Sequence, residues 1–365
     1  MPSAALLKEA ERIMVICNAC RYCEGYCAVF PAMELRRTFT DRDLKYLANL
    51  CHDCRGCYYA CQYAPPHEFD LNVPKTLAGL RLETYRDLMR PRALRDLFRR
   101  NALAVSLVAS LSVTLVVLFT LLLRGSAVFF GVHTGENAFY QVIPYLTMVL
   151  PFSALSLFIL AGLGMGTASL WREMGGKPNE LLGLRANGQA LWDVLRLRFL
   201  DGGGYGCNYP GERFTMFRRY LHHAVFYGFL LCMASTALAA FYDHFLRLPA
   251  PYPFWSWPVV IGAMGGIAVL TGTGGLLYLK RLMDRRPAVP QSLGMDTCFT
   301  VLLFLTCLTG LLLLALRETP AMGLLLALHL GLVAGFLITM PYGKFVHAVY
   351  RYAALVRNAL EQSQN

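Results

Sequence analysis

Six apolar stretches of about 20 residues fill most of the chain beyond Ala102, at roughly 102–123, 140–165, 220–242, 257–279, 298–316 and 321–342. Runs of that length cross a bilayer as helices, which satisfy their own backbone hydrogen bonds where water cannot. Composition agrees: 56% of the 365 residues are hydrophobic, 16% are charged, and the mean hydropathy is +0.43. Those values exclude an ordinary soluble enzyme. Pro144 and Pro151 fall in the second stretch, where neighbouring helices can satisfy the freed carbonyls. The net charge of +11 would suit nucleic acid if it formed one patch, but the basic residues flank the apolar spans. No nucleic-acid partner is expected.

Loop charges orient the spans. The 170–219 loop carries Arg172, Lys177, Arg185, Arg196, Arg198, Arg213, Arg218 and Arg219, and the 280–297 loop carries Lys280, Arg281, Arg285 and Arg286. The other three connections hold one arginine each, Arg124, Arg247 and Arg317. The positive-inside rule then puts both termini in the cytoplasm of a multi-pass protein of the bacterial inner membrane. Arg86, Arg90, Arg92, Arg95, Arg99 and Arg100 lead into the first span, as in a basic helix lying on anionic membrane lipid. The expected organisation is a cytoplasmic domain at 1–100, a membrane domain at 101–350 with a cytoplasmic loop at 170–219, and a cytoplasmic tail at 351–365.

The front domain holds two cysteine runs of identical spacing, Cys17-x-x-Cys20-x-x-Cys23-x-x-x-Cys27 and Cys51-x-x-Cys54-x-x-Cys57-x-x-x-Cys61. Three thiolates three residues apart wrap one iron–sulfur cubane, and in two-cluster ferredoxins the fourth cysteine crosses to the other cluster. Cys17, Cys20, Cys23 and Cys61 would therefore hold one 4Fe–4S cluster, and Cys51, Cys54, Cys57 and Cys27 the second. Disulfides fit poorly, because the thiols are too local for a bridge framework and no secretory signal precedes them. Zinc sites with four cysteines usually pair two separated C-x₂-C hooks, which these runs do not. Proline does not follow the fourth cysteine directly, as it does in bacterial ferredoxins; it comes later, at Pro31 and at Pro65-Pro66. Thr40, with Asp43 three residues on, signals a capped helix between the runs, and residues 6–13 read as a short helix before them.

Residues 179–200 read as an amphipathic helix, with Leu181, Leu184, Leu191, Leu195 and Leu197 among arginines. The loop Gly202-Gly203-Gly204-Tyr205-Gly206-Cys207-Asn208-Tyr209-Pro210 has no Walker lysine and opens no helix after a strand. It reads as a shaped loop near the clusters. Glycines at 162, 164, 166, 272, 274 and 275 lie in or beside spans, where close helix packing is the default. No flavin or nicotinamide site is visible.

Four histidines stand where spans meet the cytoplasm or cross the bilayer: His222, His223, His329 and His347. Any one could be a packed histidine bonded to a carbonyl, yet intramembrane ionisable groups are functional candidates by default. His329 and His347 are eighteen residues apart, five helical turns, so a continuous helix would carry both on one face about 27 Å apart. The third and sixth spans run antiparallel, which brings His223 and His347 to the cytoplasmic side as a bis-histidine pair for one haem b, with His222 as the alternative partner. His329 would serve a second haem, for which only Cys232 or Met233 is available on the third span. His133 and His244 belong to outer loops, and Cys207, Cys232, Cys298 and Cys307 lack ligand spacing.

Over essentially its whole length the chain resembles the B-type proteins of tricarballylate and citrate utilisation. The resemblance rests on Cys51-His52-Asp53-Cys54-Arg55-Gly56-Cys57-Tyr58-Tyr59-Ala60-Cys61, the 202–210 loop, and Arg218-Arg219-Tyr220-Leu221-His222-His223. The stretch from His329 through Met340-Pro341-Tyr342-Gly343-Lys344 to His347 also resembles the gamma subunit of respiratory nitrate reductases, whose histidines at this spacing ligate two b haems. That family has two histidines ten apart on the partner helix, where this chain has Cys232 or Met233. The first resemblance implies an electron-transfer subunit that reoxidises a cytoplasmic FAD-containing dehydrogenase and passes electrons through two 4Fe–4S clusters and haem b to membrane quinone. Rival readings are the membrane anchor of a heterodisulfide-reductase-like or nitrate-reductase-like complex, and a transporter or scaffold with a zinc-bound domain. The fold expected is mainly α: a two-cluster ferredoxin-like module ahead of a six-helix, haem-binding transmembrane bundle.

Replacing Cys20 or Cys54 with serine is expected to deplete bound iron and abolish electron delivery while the chain still inserts. Metal analysis and a quinone-reduction assay check this, and normal quinone reduction by C54S would contradict it.

Overall fold

The computed structural model describes residues 3–364, and it is almost entirely helical. In the front domain α1 (Ala4–Cys20), α2 (Val29–Glu34), α3 (Asp41–Leu50), α4 (Gly56–Tyr59) and α5 (Val73–Leu88) surround the cysteine loops. Local chemistry sets their starts. The Ser3 hydroxyl accepts from the Leu6 amide, Asn72 caps α5 just ahead of Pro74, and Thr40 and Asp43 form the expected capping box on α3. Inside, α3 buries Leu44, Leu47 and Leu50 to 1% exposure or less, each contributing about 2 kcal/mol of apolar transfer.

The basic segment before the membrane departs from expectation. Instead of one helix through Arg100, α5 stops at Leu88 and two short 3₁₀ turns follow, Arg92–Leu94 and Leu97–Arg100. Pro91 explains the break, since it lacks an amide hydrogen and bars its predecessor from helical geometry.

All six spans are present as helices long and apolar enough to cross a bilayer. They are α6 (Asn101–Phe129), then, after the short α7 (Ala138–Val142), α8 (Tyr145–Glu173); and, after α9 (Leu184–Leu195), α10 (Phe217–His244), α11 (Trp257–Leu282), α12 (Pro290–Leu316) and α13 (Met322–Thr339). Pro144 separates α7 from α8, while Pro151 is accommodated within α8. On α6, Leu107, Leu111, Leu115, Leu118 and Leu122 are 51–86% exposed. Such a stripe of bare leucine belongs against lipid, not water. The amphipathic helix of the long loop is shorter than expected, because Leu181 lies in a 3₁₀ turn and Leu197 adopts left-handed backbone.

The sixth span is not continuous to His347. Helix α13 ends at Thr339, Met340–Tyr342 form a 3₁₀ turn, Gly343 is extended, and α14 (Val346–Gln362) starts afresh. Pro341 and Gly343 are the local cause, so five helical turns do not connect the two histidines. Nor is the C-terminus a free tail. Helix α14 buries Val346, Tyr350, Ala353, Ala354, Leu355 and Val356 in the core of the front domain, beside Leu170, Trp171, Ala186 and Ala190. Arg36 pairs with Glu361 at 2.7 Å, and the Tyr352 hydroxyl donates to Asn187 at 2.7 Å. Front domain, long loop and C-terminal helix therefore pack as one body at one end of the bundle.

Helices α10 and α11 meet backbone to backbone. A Cβ on Gly265 would stand 2.8 Å from the Gly228 carbonyl and 2.9 Å from Cys232, and one on Gly272 would stand 2.7 Å from the Leu221 carbonyl. Gly265→Leu is thus expected to separate the pair and to destabilise the protein by about 2 kcal/mol or more. Gly164→Ala, whose Cβ would meet nothing within 4 Å, should be close to neutral. Thermal unfolding of the detergent-solubilised chain checks both, and equal melting temperatures would refute the seam.

Candidate functional site

The two cysteine runs share a spacing but not a conformation. Cys17 and Cys20 sit on the last turn of α1, and Arg21 in left-handed geometry turns the chain so that Cys23 and Cys27 bracket a 3₁₀ turn at Glu24–Tyr26. In the second run Cys51 ends α3, left-handed Asp53 and Arg55 flank Cys54, and Cys57 lies in α4.

Side chains regroup across the runs. A cavity of about 230 Å³ is lined by Cys17, Cys20, Cys23 and Cys61, with Tyr22 and Gln62 toward the surface. A second, closed down to about 10 Å³, is lined by Cys27, Cys51, Cys54 and Cys57. Cys57, Phe30 and Val73 belong to both walls, so the cavities adjoin. Each cavity is thus lined by thiols of both runs, Cys61 and Cys57 joining the first run's three and Cys27 joining the second run's three.

Electrostatics couples the thiols within and across these walls, Cys23 acting on Cys57 and Cys27 as well. Cys17 is pushed up to about 12 by burial and then by Cys23, Cys61 and Cys20. Burial and then Cys54, Cys27 and Cys51 raise Cys57, and burial and then Cys51 raise Cys27 to about 12. Thiols crowded in this way bind metal only by giving up protons to a strong positive charge. Among the described residues no three His, Cys, Asp or Glu side chains close on one ion-sized point. Mononuclear zinc, with Zn–S near 2.3 Å, would draw four sulfurs to within roughly 4 Å of one another. Two adjoining groups of thiols are the donor chemistry that iron–sulfur clusters take.

The glycine-rich loop is folded into this site. Strands β1 (Cys207–Asn208) and β2 (Phe214–Thr215) pair antiparallel, and the Asn208 amide donates to the Cys54 carbonyl at 3.0 Å. Gly203, at φ +76°, lies so close to the Cys23–Cys27 turn that a Cβ would stand 2.8 Å from the Gly25 carbonyl. The loop thus touches both cysteine runs. Cys207 is fully buried and donates to the Leu200 carbonyl, an ordinary packed thiol.

Beneath the second run stand the histidines. His222 on α10 faces His347 on α14, with ring centroids 6.2 Å apart. His347 donates from Nδ1 to the Lys344 carbonyl at 2.6 Å, which leaves Nε2 free, and His222 Nδ1 is buried without a partner. Two imidazoles sharing one metal at about 2 Å each have centroids roughly 6 Å apart, so the pair fits a bis-histidine haem iron. The facing residue is His222, where the sequence favoured His223. His223 stacks on Tyr227 at 5.7 Å and lies by the Leu195 and Arg196 carbonyls. Neighbours on a helix point about 100° apart, and the register of α10 on α11 turns His222 inward. His329 bonds the Thr306 carbonyl (3.1 Å) and the Thr309 hydroxyl (3.3 Å) and packs against Gly310. It is a satisfied core histidine of α13 packed on α12, with no opposing ring among the described residues. His133 and His244 line an open cleft of about 810 Å³ at the other end of the bundle.

Sequence reasoning missed the groups that join these parts. Arg81 donates to the Ala48 (3.0 Å) and Cys51 (2.7 Å) carbonyls, Arg351 to the Cys51 carbonyl (3.0 Å), and Arg218 to the Asp53 carbonyl. His52 in the cysteine loop has its Nδ1 on the Leu50 carbonyl at 2.8 Å, and burial and then Arg351 hold it well below its ordinary pKa. Asp296 and Lys344 form an ion pair of 2.7 Å at the bundle end of this site.

Among known proteins, residues 96–365 match the family described as "Citrate utilization protein B", and residues 10–87 match the "Citrate utilization protein B Fer4-like domain". A Fer4-like domain points to iron–sulfur binding, in keeping with the crossed cysteine sets. The chain is 45% identical over 359 residues to Citrate utilization protein B of Escherichia coli, covering 97% of this chain and 92% of that protein. No solved structure matches it. By sequence along nearly its full length, the chain belongs to the citrate utilization protein B family.

Proposed function

We propose that this chain is the membrane electron-transfer subunit that reoxidises a flavin-containing dehydrogenase of citrate or tricarballylate utilisation and delivers the electrons to quinone. The observation that carries this reading is that three donor sets adjoin, the two cysteine sets sharing a wall and the histidine-bearing helices bonding the Cys51–Asp53 loop through Arg218 and Arg351. Cys17, Cys20, Cys23 and Cys61 lie toward the surface; Cys27, Cys51, Cys54 and Cys57 adjoin them; His222 and His347 lie beneath the second set, within the bundle. In this proposal the cysteine sets hold two 4Fe–4S clusters and the histidine pair holds one haem b. Such groups accept and release single electrons, which lets a two-electron donor and a two-electron acceptor exchange through a chain of one-electron carriers.

The chain's own residues supply placement and insulation. Phe30 and Val73 wall both cysteine sets from water, and Phe229, Phe336 and Phe345 pack together deeper in the bundle, with ring centroids 5.7–6.3 Å apart. Loop charge supports an orientation with this end in the cytoplasm, where a soluble dehydrogenase can dock and thiolates stay reduced. A second haem is not part of the proposal, since His329 is committed to α12.

H347A and H222A are each expected to remove the sharp haem bands of the dithionite-reduced protein, while H223A keeps them. An unchanged reduced spectrum in H347A would overturn the ligand assignment. Reduced flavoprotein co-purified with the chain from native membranes should lose its electrons to added quinone, and flavin that stays reduced would overturn the pathway.

A further inference from the structure

Four guanidinium groups gather around the second cysteine loop, and their charge is largely unbalanced by the chain. Arg55 is 2% exposed and Arg81 4%. Arg81, Arg218 and Arg351 spend their N–H groups on the carbonyls of Ala48, Cys51 and Asp53. Arg55 donates to the Asp284 carbonyl at 2.9 Å, and Arg55 and Arg218 both lie against the Tyr209 ring, 4.8 and 4.7 Å from its centroid. The carboxylate in this belt is Asp53, 3.9 Å from Arg55. Burying positive charge without a counter-ion is costly, so the belt calls for an anion at its centre. Beside the first set in the chain, Arg21 and Glu24 are exposed and opposite in sign. Water screens them.

The placement of two of these arginines is equally specific. Arg218 lies one helical turn before His222 on α10, and Arg351 one turn after His347 on α14. Each reaches from a histidine-bearing helix to a carbonyl of the Cys51–Asp53 loop.

Resting on the function proposed above, we propose that Arg81, Arg218 and Arg351 make the cysteine set of the Cys51 loop the more easily reduced of the two, and so give electron flow its direction. A cluster held by four thiolates is an anion, and accepting one electron adds one negative charge. Nearby buried cations favour that reduced form and raise its potential, whereas the half-buried first set has no such buried cations against it. One electron then leaves the first set, which is oxidised, and enters the second, which is reduced, before passing to the histidine pair. The arginines are positioning residues, since they touch the loop and not an exchanging partner. A purely structural staple would be indifferent to charge, and this difference makes the idea testable.

The experiment is an anaerobic redox titration of the full chain in lipid nanodiscs, followed by electron paramagnetic resonance. Two cluster signals are expected, and in a C20S background the lower-potential one should disappear. R351Q should move the higher-potential signal downward and leave the other in place, while R351K, which keeps the charge, should stay near the parent. R218Q is a second, independent variant with the same expected shift, should R351Q fail to load. A higher-potential signal that neither glutamine variant moves, an equal shift in R351K, or loss of the higher signal in C20S would each overturn the inference while leaving the proposed function standing. Protein without iron would contradict both.

Discussion

The second cysteine loop can hold its shape only because arginines from three helices meet its carbonyls. Cys51 and Asp53 turn their backbone oxygens inward, and left-handed Asp53 and Arg55 leave this loop without helical hydrogen bonds of its own. A buried carbonyl without a donor is costly. Arg81 from α5, Arg218 from α10 and Arg351 from α14 supply the donors. Because two of those helices also carry the facing histidines, one set of hydrogen bonds joins the soluble domain to the membrane bundle and fixes the cysteine sets above the imidazoles.

That constraint accounts for features that look unrelated along the chain. The break at Met340–Gly343 lets α14 leave the axis of α13, so that it faces the front domain and not solvent. The glycine-rich loop must reach Cys54 and the Glu24–Tyr26 turn at once, which is why Gly203 sits where no side chain has room. Close contact of α10 with α11 at Gly228, Gly265 and Gly272 sets the rotation of α10, and that rotation selects His222 over its neighbour.

Much of this was legible before any coordinates. Hydropathy located all six spans because lipid imposes length and composition on each span separately. Cysteine spacing pointed to the iron–sulfur character of residues 10–87, which match a Fer4-like domain, because three ligands of each run are local. What escaped has a common physical character. Arg81 and Arg351 bond carbonyls 30 and 300 residues away, respectively, and such pairings leave no periodicity behind. The choice between His222 and His223 depends on a neighbouring helix, so the local sequence is symmetric to it. The five-turn spacing from His329 to His347 misled because Pro341 and Gly343 interrupt the helix it presumed.

The central claim, that the front domain is an iron–sulfur module wired into the bundle, is tested most directly by metal analysis of protein purified without oxygen. Iron and acid-labile sulfide should each appear at about eight per chain, with haem iron in addition. Zinc in place of that iron, with no labile sulfide, would contradict the account.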